Sequence, residues 1–366
     1  MGERFRTRSL VVSRAFARRS VRSDAPVVPR RALIAHNLLL GDTIMLTALV
    51  AKLAAQGVEV TLLASPAAVP LYAGRPYGVR ALPFRPSDSA TAAALLEEGP
   101  FDLAVVPGDN RYSWLAAAMG ADHIVAHAGD RPWTKDWFVD EARPYPSVPA
   151  SWSDMVAALV DGPPPRPYAR GDWPEPPCMR FELPHAPYAV LHVGASTPLK
   201  RWPAERWRAL AAALQARGIT PVWSAGRGEE ALVAGADPEG RYRSHAGQLD
   251  LAQVWHLIAR ARLLVAPDTG VAHLGRAAWT PTLAIFGPGS PVICGNGDFW
   301  RETPWRPVYR PDFPCRDQRI LFRRRLEWVR RCGRTLRECD RPRCIEAVPV
   351  EEVLDAAQAV LALPDR

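Results

Sequence analysis

The chain has 366 residues, 48% of them hydrophobic, with six cysteines and a net charge of +8. That length accommodates two domains of ordinary size and excludes a small disulfide-stapled secreted scaffold. No apolar run is long enough for a bilayer span, because Ala277–Gly297 is broken by proline and glycine. No signal peptide is evident, so the expected location is the cytoplasm.

Residues 1–31 hold nine arginines against Glu3 and Asp24, a net +7, and read as a flexible Arg-rich segment. From residue 32, strand-like and helix-like patterns alternate. Ala32–Ala35, Glu59–Ala64 and Phe101–Val106 read as strands. Thr43–Ala55, Ala90–Leu96, Tyr112–Met119 and Trp152–Val160 read as helices. Residues 161–187 are proline-rich and read as an interdomain linker. The alternation restarts at Tyr188–Val193 and runs through helix 204–216, strand 219–224, helix 251–261 and strands 262–266 and 281–287. Ile320–Val329 reads as an amphipathic helix, with Phe322, Leu326 and Val329 inward and Arg323, Arg324 and Arg325 largely outward. A last helix covers Pro349–Leu361, within a terminal element taken as 349–366.

The expected architecture is α/β, with two Rossmann-like domains facing each other across a cleft. The first covers residues 32–160. The second covers 188–348 and includes a Cys- and Arg-rich extension. Residues 316–343 of that extension carry eleven arginines against Asp317, Glu327, Glu338 and Asp340, again net +7. The rest of the chain is therefore −6 (8 − 7 − 7). This distribution does not suit a nucleic-acid groove. Two basic segments on an acidic body fit peripheral contact with an anionic membrane, or a flexible tail and one solvated basic helix. Cys315, Cys332, Cys339 and Cys344 cluster without any Cys-x-x-Cys pair. Reduced thiols are expected there, with a structural metal as the lesser alternative.

Three strand-end turns carry the candidate chemistry. In Asn37-Leu38-Leu39-Leu40-Gly41-Asp42, Asp42 reads either as a helix N-cap or as a carboxylate acting as base. In Gly194-Ala195-Ser196-Thr197-Pro198-Leu199-Lys200, Ser196 and Thr197 offer hydroxyls and Lys200 a compact cation. In Asp268-Thr269-Gly270 with His273, a helix start presents free N–H groups suited to a diphosphate. An anion-holding half and a base-holding half together suit displacement of a phosphate leaving group.

Gly41-Asp42-Thr43, Lys200-Arg201-Trp202-Pro203, Asp268-Thr269-Gly270 with His273, Phe286-Gly287-Pro288 and Cys344-Ile345 together resemble glycosyltransferase family 9. This is the bacterial heptosyltransferase-like family of GT-B architecture, and the resemblance covers roughly residues 31–362. It implies inverting, metal-independent transfer of a sugar, typically heptose from ADP-heptose, to a glycan or glycolipid in lipopolysaccharide or other surface-glycan biosynthesis. No cofactor is implied for catalysis. By position Asp42 matches the family's base. Ser196, Thr197 and Lys200 match diphosphate contacts. Thr269, Gly270 and His273 match the donor-phosphate turn, with Asp268 beside the transferred sugar. Glu229 or Glu230 matches the ribose contact. His36, Asn37 and Gly41 fall on the acceptor side, His36 where the family often has Arg or Lys. The absence of any Asp-x-Asp pair favours the metal-free route. The alternatives are a sugar-nucleotide epimerase of the same fold, a transferase acting on proteins or secondary metabolites, and a sugar-nucleotide-binding protein without activity.

Overall fold

The computed structural model describes residues 2–18, 29–185 and 187–363. The chain forms two compact units, Met1–Arg166 with Ile320–Trp328, and Pro167–Arg319 with Val329–Arg366.

The first unit runs α1 (Glu3–Arg18), β1 (Arg31–Ile34), α2 (Leu40–Met45), α3 (Thr47–Ala55), β2 (Glu59–Ala64), β3 (Arg80–Pro83), α4 (Ser89–Leu95), β4 (Phe101–Val106), α5 (Ser113–Ala118), β5 (Ala121–His127), β6 (Glu141–Arg143) and α6 (Trp152–Ala157). Its six strands form one parallel sheet in the order β3-β2-β1-β4-β5-β6. This is the doubly wound dinucleotide-fold order, whose ligand crevice opens where the order reverses, beyond the carboxyl ends of β1 and β4.

The second unit runs β7 (Tyr188–His192), α7 (Ala204–Gln215), β8 (Thr220–Ser224), α8 (Glu230–Ala236), α9 (Leu251–Ala259), β9 (Leu263–Pro267), α10 (Gly270–Ala277), β10 (Thr282–Phe286), β11 (Trp305–Tyr309), α11 (Arg343–Glu346) and α12 (Val350–Leu361). Its sheet order is β11-β10-β9-β7-β8, with every pair parallel. Here the order reverses between β7 and β9. Both strands, and β10, are buried at every residue, because helices cover both faces of a parallel sheet. Local signals agree with the elements: Asp250 and Gln253 form a capping box at the start of α9. At Gly275 a Cβ would stand 2.3 Å from Thr282 Oγ1 and 2.6 Å from Leu264 Cδ2. A side chain there would push α10 off the sheet. No helix is long and apolar enough to cross a membrane among the described residues.

Three sequence expectations differ from the structure. The segment 1–31, read as flexible, contains α1, whose Thr7, Val11 and Ala15 are buried in the first unit's core. Arginine abundance hid one apolar stripe at helical spacing. Residues 19–28 of that segment lie outside the described residues.

The helix expected at 320–329 is instead a hairpin pairing Ile320–Leu321 with Arg324–Arg325. Phe322 (φ 43°) and Arg323 (φ 67°) form its turn in the left-handed region, which an α-helix does not contain. The hairpin belongs to the first unit, not to the second domain of 188–348. Arg324, expected to face water, is buried. It donates to the carbonyls of Gly108 (2.6 Å) and His127 (3.0 Å), to Asn110 Oδ1 (2.7 Å), and lies 3.5 Å from Asp130. That satisfaction outweighs a few weak helical contacts.

Finally, α2 begins at Leu40, so Asp42 lies within its first turn and the capping position is Leu39. The N-cap reading of Asp42 is thereby replaced.

Candidate functional site

The second unit assembles its candidate residues at the β7/β9 reversal. The loop after β7 carries Ser196, exposed, and Thr197, whose Oγ1 accepts the Leu199 N–H at 3.4 Å. One turn on, Lys200 Nζ donates to the Asp268 backbone carbonyl at 2.8 Å and to its Oδ2 at 2.9 Å. Asp268 is buried, Lys200 half-buried. One ammonium thus ties together the two loops flanking the switch point. The loop after β10 closes on the same carboxylate, since a Cβ at Gly289 would meet Asp268 Oδ2 at 2.2 Å.

Thr269 is the N-cap residue of α10 but makes no capping hydrogen bond. Its Oγ1 is buried without a partner, and so is His273 Nδ1 one turn later. Burial, with Arg276 and Lys200 nearby, holds the His273 imidazole well below its ordinary pKa. It is therefore neutral at physiological pH. Buried polar atoms are normally satisfied. Two orphans beside the free N–H groups at the Gly270 end of the helix form a polar cradle suited to an incoming anion.

Glu229 immediately precedes α8. Its Oε1 accepts the Ala195 N–H at 3.0 Å and its Oε2 the Gly226 N–H at 2.9 Å, tying together the loops after β7 and β8. Glu230 is exposed and accepts the Gly228 N–H at 3.0 Å. The structure thus gives Glu229 a bridging position that its sequence neighbour lacks.

In the first unit, the loop after β1 holds His36, Asn37, Gly41 and Asp42. Asp42 is half-buried, Gly41 buried and Asn37 exposed. His36 is buried, and its Nδ1 accepts the Leu38 N–H at 3.0 Å. Its Nε2 has no partner, and burial pushes its pKa down to about 3. A neutral imidazole is not the cation that Arg or Lys would be at that position. It can donate one hydrogen bond.

The sequence reading missed several residues on the same carboxyl edge. His127 ends β5 and stacks on Tyr145 at 3.7 Å. Both its ring nitrogens, Tyr145 OH and Trp152 Nε1 are buried without partners. The signal available was a histidine closing an apolar run. Cys294 was also missed. Its sulfur and ligand atoms of Asp268 and His273 lie within 4.8 Å of one another, a trio that could hold a metal ion. Asp268 is already engaged by Lys200, and a cation 2.9 Å away opposes a second positive charge. Cys315, Cys332, Cys339 and Cys344 form no such group among the described residues. Burial pushes the Cys344 thiol up to about 11, which keeps that sulfur protonated at neutral pH.

Over residues 93–307 the chain matches the profile of glycosyltransferase family 9 (heptosyltransferase). It is 36% identical over 137 residues to lipopolysaccharide heptosyltransferase 1 of Pseudomonas aeruginosa, covering 36% of each chain. It is 30% identical over 156 residues to an Escherichia coli lipopolysaccharide heptosyltransferase 3, covering 38% of this chain and 44% of the relative. These alignments therefore span less than half of the curated relatives. Two solved structures share the fold at a TM-score of 0.66. One is a family 9 glycosyltransferase from Veillonella parvula, at 16% identity, covering 93% of this chain and 99% of that one. The other is the E. coli ADP-heptose lipopolysaccharide heptosyltransferase II, at 19% identity, covering 91% and 98%. With the family profile matching more than half of its length, the chain belongs to glycosyltransferase family 9.

Proposed function

We propose that this chain is an inverting glycosyltransferase that moves heptose from ADP-heptose to a surface glycan acceptor, with lipopolysaccharide inner core as the acceptor class. The observation that carries the reading is the second unit's cradle. Lys200 is fixed at 2.8 and 2.9 Å on Asp268, beside a helix start where Thr269 Oγ1 and His273 Nδ1 are buried and unpartnered. A donor diphosphate would take up those donors.

In the reaction, the acceptor hydroxyl oxygen attacks the anomeric carbon as the bond to the diphosphate breaks. The diphosphate leaves with the bonding electrons, and the anomeric configuration inverts. Lys200 and the first N–H groups of α10 stabilise the developing negative charge. Asp42 accepts the proton from the acceptor hydroxyl. Lys200 supplies the positive charge that a metal would otherwise bring, so the transfer is proposed to run without one. Glu229 or Glu230 contacts the donor ribose, and His36, Asn37 and Gly41 serve the acceptor side.

The test incubates purified protein with ADP-heptose, with and without a lipopolysaccharide inner-core acceptor, in the presence of EDTA. The expected product is a glycoside of inverted anomeric configuration, formed only with acceptor. Conversion of the donor without acceptor would replace this reading with an epimerase. A thermal-shift panel of ADP-, GDP-, dTDP- and UDP-sugars reports the donor base, since a ligand of the folded state raises its stability.

A further inference from the structure

The first unit carries an aromatic patch that the proposed reaction does not use. Trp133 is 68% exposed and Trp137 47%, and their rings stack at 5.3 Å. Phe16 of α1, 54% exposed, lies 6.4 Å from Trp137 and 5.5 Å from Trp114. Phe5 is also exposed. It precedes Phe16 by three helical turns and shares its face within about 20°, with Val12 between them. Arg4, Arg6 and Arg8 are exposed on the same helix, and Arg131 is exposed beside Trp133. Arg6 pairs with Glu3 at 3.1 Å, and Arg14 with Glu97 at 3.4 Å. Arg4 and Arg8 make no ion pair among the described residues.

Large rings held in water and joined into one patch mark an interaction surface. The chemistry here selects the partner. Tryptophan favours the boundary between lipid headgroups and acyl chains, where its body is apolar and its N–H wet. Arginines around it meet anionic headgroups. The charge fits as well, since Arg4, Arg6, Arg8 and Arg14 of α1 outnumber its one acidic residue, Glu3. Helix α1 cannot roll to offer its other face, because Thr7, Val11 and Ala15 are buried in the core. Contact is therefore shallow, through the outer stripe and the tryptophan pair.

We propose that α1 and the Trp133–Trp137 segment form a docking surface for an anionic lipid bilayer. This rests on the surface of the first unit and is independent of the transfer reaction.

The test is co-sedimentation of the full chain with phosphatidylcholine vesicles, with and without phosphatidylglycerol, at two salt concentrations. Binding is expected only to the anionic vesicles, weaker at high salt, with a blue shift of tryptophan emission. Arg4→Gln with Arg8→Gln should weaken it on the order of 25-fold, about fivefold per arginine. Trp133→Ala should remove the blue shift and weaken binding at least several-fold. Trp133 is mostly exposed, so an unchanged thermal midpoint is expected and confirms the fold. Equal binding to both vesicle types, or none to either, overturns the proposal. So does a dimer in the absence of vesicles that Trp133→Ala dissolves, which would assign the patch to self-association.

Discussion

The Lys200 ammonium donates to the Asp268 carbonyl and carboxylate, and this pairing sets what its removal would do. Lys200→Met takes away the cation and leaves a buried carboxylate where a diphosphate is proposed to sit. Hydrogen bonds to charged groups contribute about 1.5–3 kcal/mol, so donor affinity should fall roughly 10- to 100-fold by calorimetric titration. Unchanged affinity would place the diphosphate elsewhere. Asp42 is the opposite case. Its proposed task is proton removal, so Asp42→Asn should keep donor affinity within about twofold while transfer falls on the order of 10²- to 10³-fold. Near-normal turnover of that variant would remove Asp42 as the base. Both residues drew attention in the sequence because each follows an apolar strand, Asp42 after a glycine at a helix start and Lys200 in a turn that opens with small residues. The orphaned Thr269 Oγ1 and His273 Nδ1 were not, since lack of a partner depends on everything packed around them.

At the scale of elements, the hairpin at 320–325 teaches the most. Its sequence has helical spacing, yet the structure forms a turn through two left-handed residues. The reason lies far away in the chain: Gly108, Asn110, His127 and Asp130 present acceptors that Arg324 fills. Breaking one side of a buried charge cluster costs about 3–5 kcal/mol. Arg324→Met should therefore lower the first unit's stability by about that much in urea unfolding, and open the hairpin to proteolysis. Resistance equal to the parent would show that the hairpin is held by Phe322 on Trp152 instead. Helix α1 followed the same logic in reverse. Its charge suggested a solvated segment, and a narrow stripe through Thr7, Val11 and Ala15 decided the outcome.

At the scale of the molecule, buried histidines tie stability to pH. Burial pushes His36 and His127 down to about 3 and His192 to about 4, and holds His273 well below its usual value. An unfolded histidine titrates near 6.5. Below that pH the unfolded chain takes up protons that the folded chain refuses, so stability falls as pH falls from about 6.5 towards 4. Each histidine contributes a slope of up to about 1.4 kcal/mol per pH unit. His192→Asn should flatten the dependence of the urea midpoint between pH 6.5 and 4. An unchanged slope would mean that His192 charges freely in the folded state.

Strand and helix alternation and the order of the three turns are local properties of the chain, and they determined the two α/β halves and the loops that carry the candidate chemistry. Those patterns are readable because a parallel strand is apolar along its whole length and a glycine-rich turn marks its end. The strand orders, which place the loops after β7 and β9 side by side, came only from the tertiary structure. So did the burial of Arg324, the docking of α1 and the unsatisfied atoms of the cradle. Each depends on groups distant in sequence competing for the same space and the same hydrogen bonds, and no local period records that competition.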